Sequence, residues 1–292
     1  MRAAAARVRD QLDKLVRSAA YQKALQLQEE KGYTFVHPFD DADVIAGQGT
    51  IALEILEQLN DLDAVIVPIG GGGLISGIAY TIKTLAPKVK VYGVQAAGAP
   101  SMANAIAEQK IETLSSVSTI ADGIAVKRPG DLTYATVEKY VDEIVTVTDD
   151  EISAAILALM EQQKLVTEGA GAVSVAAAMF GKVDIKGKKV VCVLSGGNID
   201  VTILSRVINR GLLMSGRSCW LTVELIDKPG QLLGVSEIIA RLGGNVTAVR
   251  HERANEGSDV NGCYLRIVLE TRNYEHIAQI KQALTDFGFK LL

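Results

Sequence analysis

Ala64-Val65-Ile66-Val67-Pro68-Ile69-Gly70-Gly71-Gly72-Gly73-Leu74 is an apolar run that stops in four glycines. The run does not alternate, so it reads as a strand buried on both faces, the pattern of a parallel sheet covered by helices. Leu74–Leu85 then takes up helical periodicity. A strand that ends in glycines and opens a helix aims several backbone N–H groups at one point, where the helix dipole adds about half a positive charge. Such a nest suits a phosphate, and glycine suits the nest, because a Cβ would hold the oxygens off and resist positive φ. The Lys-Ser/Thr of a Walker loop is missing, and no GxGxxG with an acid ~20 residues on is present. This favours a smaller phosphorylated cofactor over a nucleotide. A glycine run also serves as a plain tight turn, and both readings stand at this point.

Working outward, the strand–helix unit repeats. Val89–Val94 is a second strand, Ser101–Glu108 a helix, Ile144–Val147 a third strand, and Asp149–Lys164 a helix with Asp149 or Asp150 as its cap. Thr167–Met179 is an alanine-rich helix, and Lys189–Leu194 a buried strand running into Ser195-Gly196-Gly197-Asn198. In a parallel sheet that second glycine turn falls on the same carboxyl edge as the first, which suggests one ligand between them. Upstream, residues 1–30 read as an amphipathic helix, Tyr33–Val36 as a short strand, and Gly47 and Gly49 as part of a polar turn before a helix that follows Thr50.

The pattern changes near Asn209–Gly216. Beyond it come a strand (Cys219–Ile226), a helix (Gly230–Leu242), two strands (Asn245–Arg253 and Gly262–Thr271), a helix (Tyr274–Phe287) and an edge strand (Lys290–Leu292). That order is βαββαβ, ferredoxin-like. The loop Asn255-Glu256-Gly257-Ser258-Asp259 between the middle strands is polar and reads as mobile.

Composition fits two ordinary globular units: 292 residues against a rough ~150 per domain, 48% hydrophobic and 22% charged. Thirty basic against thirty-four acidic residues give a net charge of −4, which offers no field for nucleic acid. The apolar runs fall short of the ~20 residues of a membrane span. Cys192, Cys219 and Cys263 form no CxxC pair and read as buried thiols of a reducing compartment, and the three histidines lack metal-ligand spacing. These features point to a cytoplasmic protein.

Seven words in order carry a specific resemblance: His37-Pro38-Phe39-Asp40-Asp41, Ile45-Ala46-Gly47-Gln48-Gly49-Thr50, Pro68–Leu74, Ala121-Asp122-Gly123, Arg128-Pro129-Gly130, Thr167-Glu168-Gly169-Ala170-Gly171-Ala172 and Ser195–Asn198. From about Tyr21 onward the chain resembles the threonine ammonia-lyases (threonine dehydratases), fold-type II pyridoxal-phosphate enzymes with one C-terminal ACT domain. The resemblance implies an α/β open twisted sheet of the tryptophan synthase β type in residues 1–212, incomplete and with a non-matching start at 1–20. It implies an ACT regulatory domain at 217–292.

It further implies that the amides of Gly70, Gly71, Gly72, Gly73 and Leu74 hold the pyridoxal 5'-phosphate phosphate, that Ser195 meets the pyridine nitrogen, that Glu168 lies near the ring, and that Ala121-Asp122-Gly123 borders the substrate. A neutral hydroxyl at the ring nitrogen suits β-elimination over transamination. The reaction implied is the conversion of threonine, and of serine, to 2-oxobutanoate or pyruvate and ammonia.

One departure dominates. The family's Schiff-base lysine sits in a Ser-Phe-Lys-Xaa-Arg-Gly type word, and its substrate-carboxylate loop in a Ser-Xaa-Gly-Asn-His word; neither occurs in this sequence. No catalytic residue is therefore assigned, and a chain truncated before the lysine, inactive by itself, is expected. Apolar surface left by the lost strands is expected with it. Lys83 lies on the helix after the glycines and points the wrong way along it. Related racemases place a metal-binding glutamate and aspartate where this chain has Gln95 and Ser101, so no metal is expected there. In the last unit, Asp227-Lys228-Pro229-Gly230-Gln231-Leu232-Leu233 and Gly243-Gly244-Asn245-Val246 resemble the ACT signature. The resemblance implies an isoleucine or valine effector at Gly230, Leu232 and Asn245, and a homo-oligomer. The alternative is a non-catalytic chain that senses amino acids or only assembles.

Overall fold

A computed structural model describes residues 19–253 and 262–292. Residues 19–31 form helix α1, and the rest of the expected first helix lies outside the described residues, as does the 255–259 loop. The chain continues through α2 (Ala42–Gln58), β1 (Ala64–Pro68), α3 (Gly73–Leu85), β2 (Lys90–Ala96), α4 (Ser101–Glu108), α5 (Asp131–Tyr140), β3 (Glu143–Val147) and α6 (Asp149–Ala158). A π turn (Leu159–Gln163) leads to α7 (Gly169–Met179), β4 (Val190–Cys192) and α8 (Val201–Met214).

The first sheet is parallel, in the order β3-β2-β1-β4. Its strands lie between two apolar layers, because successive side chains leave opposite faces. Ala64 and Ile66 pack with Ile152, Ile156, Val173 and Ala176 of α6 and α7. Val65 and Val67 pack with Ala52, Ile75, Ile78 and Ile82 of α2 and α3. All five residues of β1 are buried, as its unbroken apolar run requires.

Several sequence expectations need correction. Tyr33–Val36 pairs with no strand among the described residues. Gly47 and Gly49 are not in a turn; they lie inside α2, which starts earlier because the Asp41 carboxylate accepts from the amides of Asp43 and Val44. Gly49 is where α2 crosses α3: a Cβ there would stand 2.8 Å from the Thr81 hydroxyl and 3.2 Å from the Gly77 carbonyl. The cap of α6 is Thr148, in a reciprocal box with Glu151, not Asp149 or Asp150. That helix gives way at Leu159 to the π turn, which Lys164 closes in the left-handed region at φ 60°.

The second unit comprises β5 (Ser218–Ile226), α9 (Gln231–Arg241), β6 (Asn245–Arg253), β7 (Gly262–Glu270), α10 (Tyr274–Asp286) and β8 (Lys290–Leu291). Its antiparallel sheet has the order β6-β7-β5-β8, the ferredoxin-like arrangement expected. Both helices cover one face, where Leu221, Val223, Leu265 and Ile267 meet Val235, Ile239, Ile280 and Leu284. No helix among the described residues is long and apolar enough to cross a membrane.

Candidate active site

Strand order places the site. The chain moves from β1 outward through β2 to β3, then returns to put β4 on the other side of β1. Between β1 and β4, therefore, successive connections leave the sheet in opposite directions, the place where open α/β sheets bind ligands at their carboxyl ends. Gly70–Gly73 leaves β1 there and Ser195–Asn198 leaves β4. The parallel register Ala64↔Val190, Val65↔Val191, Ile66↔Cys192, carried on by the bond from the Val193 amide to the Ile66 carbonyl (3.0 Å), sets the two turns side by side. Strands in register lie ~4.8 Å apart.

The tetraglycine loop is shaped from behind by other words of the sequence. A Cβ on Gly71 would stand 2.3 Å from the Phe39 ring, and one on Gly73 would stand 3.0 Å from the Phe39 backbone. Gly72 takes φ +102° with Met102 and Thr133 2.8 Å from any Cβ. Thr133 donates to the Gly71 carbonyl at 2.6 Å. Asp40 in turn accepts from the amides of Asp131, Leu132 and Thr133, each at 3.0 Å, and so caps α5. His37 Nδ1 accepts the Asp40 amide at 2.8 Å. These glycines are thus needed for packing on one side of the loop.

On its other side, the amides of Gly70, Gly71, Gly72, Gly73 and Leu74 meet no acceptor among the described residues. Five adjacent donors at a helix start, three of them on buried residues, fit an anionic group such as a phosphate. The residues present therefore fit the phosphate end of the expected cofactor.

The second wall is built from α7. Gly171 abuts Gly196, the Glu168 amide donates to the Gly196 carbonyl at 3.2 Å, and the Glu168 carboxylate lies against Gly196 and Gly123. Burial, then the charge of Asp122, raise the Glu168 pKa above the ordinary carboxylate range, opposed by an amide hydrogen bond from Asn198. Ser195 is exposed, and its hydroxyl has no partner among the described residues. A cavity of about 1090 Å³ adjoins this wall, reaching from Asp122, Glu168 and Asn198 to Asp149 and Arg210; neither the tetraglycine loop nor Ser195 lines it.

Other candidates stand elsewhere. Lys83 is on the far end of α3, ion-paired to Asp142 at 2.6 Å and donating to the Val89 carbonyl at 2.8 Å. Gln95 is buried and holds the Ala103 amide at 2.8 Å, a structural task; Ser101 is buried, and its hydroxyl has no partner among the described residues. In the second unit Gly230 caps α9 at φ +91° beside exposed Leu232, whereas Asn245 bonds Glu270 at 2.7 Å at the opposite end of the sheet. The register Asn245↔Glu270↔Ser218 puts the length of β5, ~25 Å, between them, so one chain does not unite these three residues. Sequence reading missed the roles of Phe39 and Asp40 behind the glycines. The signal was the Gly130 turn before an unassigned helix, α5.

Comparison with known proteins agrees with this geometry. The profile of the family described as "Pyridoxal-phosphate dependent enzyme" matches residues 1–196. The L-threonine ammonia-lyase of Thermotoga maritima is 49% identical over 93% of this chain and 68% of its own length. That of Geobacter sulfurreducens is 47% identical over 92% and 67%. The processed form of threonine deaminase isoform 2 from Solanum lycopersicum aligns with a TM-score of 0.63 and 41% identity, covering 66% of this chain and 53% of that one. The chain thus spans about half to two thirds of the length of these relatives. A glycine nest on one side of the switch point, a serine turn on the other and these likenesses together settle the family: the chain belongs to the pyridoxal-phosphate-dependent enzymes, among the threonine ammonia-lyases.

Proposed function

We propose that this site serves the deamination of L-threonine, and of L-serine, to 2-oxobutanoate or pyruvate and ammonia, with pyridoxal 5'-phosphate as cofactor. The observation that carries the reading is the row of five open amides from Gly70 to Leu74, on the strand next to the one that leads into the turn of Ser195, at the β1/β4 switch point. When bound, the cofactor supplies an electron sink for the substrate's Cα. The chain's own residues would hold it: the amides at the phosphate, and the Ser195 hydroxyl at the ring nitrogen, which it leaves unprotonated. Glu168, with its raised pKa, keeps a proton at the wall to higher pH than an ordinary glutamate.

The reading includes that this polypeptide alone turns over no substrate. The lysines adjacent to the site words are engaged elsewhere: Lys127 donates to the Ser115 carbonyl and Lys164 to the Glu161 carbonyl. We place a catalytic unit up to residue 212 and an ACT unit from residue 217, in a cytoplasmic homo-oligomer responsive to isoleucine or valine. Support for assembly comes from the uncovered face of the second sheet, where Trp220 is 67% exposed. Because Gly230 and Asn245 lie apart in one chain, an effector site using both requires two chains.

The test is a fluorescence titration of the full chain with pyridoxal 5'-phosphate and with pyridoxal, which lacks the phosphate. Saturable binding of the first, displaced by inorganic phosphate and far weaker for the second, is expected. Equal affinities would refute the cradle. Borohydride reduction should fix no cofactor at a native lysine, and a single-lysine adduct accompanied by threonine turnover would refute the inactivity of the isolated chain. Calorimetry with isoleucine and valine tests the effector, and heatless injections of both would leave the ACT unit an assembly element.

A further inference from the structure

We propose that the C-terminal unit carries a binding site for a zinc-type divalent cation, formed by Asp227, His251 and Cys263. One oxygen, one nitrogen and one sulfur from these three residues lie within 4.8 Å of one another. They come from separate segments: Asp227 follows β5, His251 is on β6 and Cys263 on β7. The sheet register explains their meeting. Cys263 is opposite Leu225 on one side and Arg253 on the other, and His251 is opposite Leu265. His251 and Cys263 are therefore diagonal neighbours on one face, within reach of each other's side chains. Asp227 closes the end of that face.

The donor set selects the cation. A thiol, an imidazole and one carboxylate suit a borderline ion such as Zn2+, whereas Mg2+ and Ca2+ call for oxygen alone. Zn2+ at ~2.0–2.3 Å from each donor needs them roughly 3.3–3.6 Å apart, so the set must contract by about 1 Å. Two of the three side chains can do this, because Asp227 and His251 are exposed while Cys263 forms the buried floor. That arrangement also leaves an entry path from solvent and a fourth position for water.

The existing contacts do not satisfy the group. His251 Nε2 stands 3.7 Å from Asp227 Oδ1, beyond hydrogen-bond range, and the imidazole makes no hydrogen bond among the described residues. Arg253 Nε takes the other oxygen, Oδ2, at 2.9 Å and leaves Oδ1 turned to the imidazole. The site stands apart from the glycine loops and depends on nothing in the cofactor reading. Sequence spacing could not reveal it, since the three residues belong to no local motif.

The test uses the full 292-residue chain, stripped with a chelator and titrated separately with Zn2+ and Co2+. One equivalent should bind, and Co2+ should develop a thiolate-to-cobalt charge-transfer band in the near ultraviolet. Cys263→Ala should abolish that band. His251→Gln, a surface change that leaves the core intact, should weaken Zn2+ binding by more than the ~10–100-fold typical of losing an outer-shell group. Arg253→Ala, which frees Oδ2, should tighten it. Failure to saturate at one equivalent, or unchanged affinity in His251→Gln with its melting curve intact, would overturn the site.

Discussion

Gly171 and Gly196 touch so closely that a methyl group on the first would stand 2.6 Å from the carbonyl oxygen of the second. This contact fixes the start of α7 against the turn that follows β4, and so sets where Glu168 and Ser195 stand. Gly171→Ala is expected to cost ~1–3 kcal/mol by forcing the turn outward. Urea unfolding measures the loss, and the same variant should bind pyridoxal 5'-phosphate more weakly.

Two glycines two residues apart in α2 should respond in opposite directions. Gly47 has open space around any added Cβ, whereas Gly49 faces the Thr81 hydroxyl at 2.8 Å. Gly47→Ala should stabilise the protein by ~0.5–1 kcal/mol through helix propensity. Gly49→Ala should destabilise it, and paired thermal melts would show the split.

Asp40 accepts three amides at the start of α5. Asp40→Ala should cost ~1–2 kcal/mol, with Asp40→Asn recovering much of it, since the amide oxygen still caps. Because α5 supplies Thr133 to the Gly71 carbonyl, cofactor affinity should fall in the alanine variant even where the fold holds. Equilibrium titration alongside denaturation separates the two effects.

The raised pKa of Glu168, caused first by burial and then by Asp122, has a definite sign. The folded state holds this proton more tightly than the unfolded chain. Its contribution to stability is complete below the unfolded pKa and is lost as pH rises through the folded value. Urea midpoints of the parent chain should therefore decline across that window relative to Glu168→Gln, which has no proton to lose. Parallel curves for the two proteins would show that Glu168 is not the source.

Strands and helices with strong periodicity were legible from the order of residues alone: β1 from its unbroken apolar run, β6 from its start at Asn245, and the βαββαβ order of the second unit. The glycine words were legible as one edge of a sheet. What they touch was not, since close approach between Gly49 and Gly77, or between Gly71 and the Phe39 ring, is a tertiary fact that glycine only permits. The polar glycines of α2 imitated a turn, because propensity counts against glycine in a helix while packing against α3 demands it. Helices α5 and α8 went unassigned: α5 has little apolar pattern and depends on Asp40, ninety residues away, for its start. The amides open at Gly70–Leu74 follow from the geometry of a helix terminus, which the sequence does announce.

The two walls of the cleft are joined unequally. Five residue pairs tie β1 to β2 and five tie β2 to β3, but the register of β4 with β1 has only three, extended by the Val193 amide on the Ile66 carbonyl. Local opening of this sheet is therefore expected to start at β4, at less than the free energy of global unfolding. Hydrogen exchange should then be fastest within this sheet at the β4 amides, on the serine side of the cleft, and slower at β1 on the glycine side.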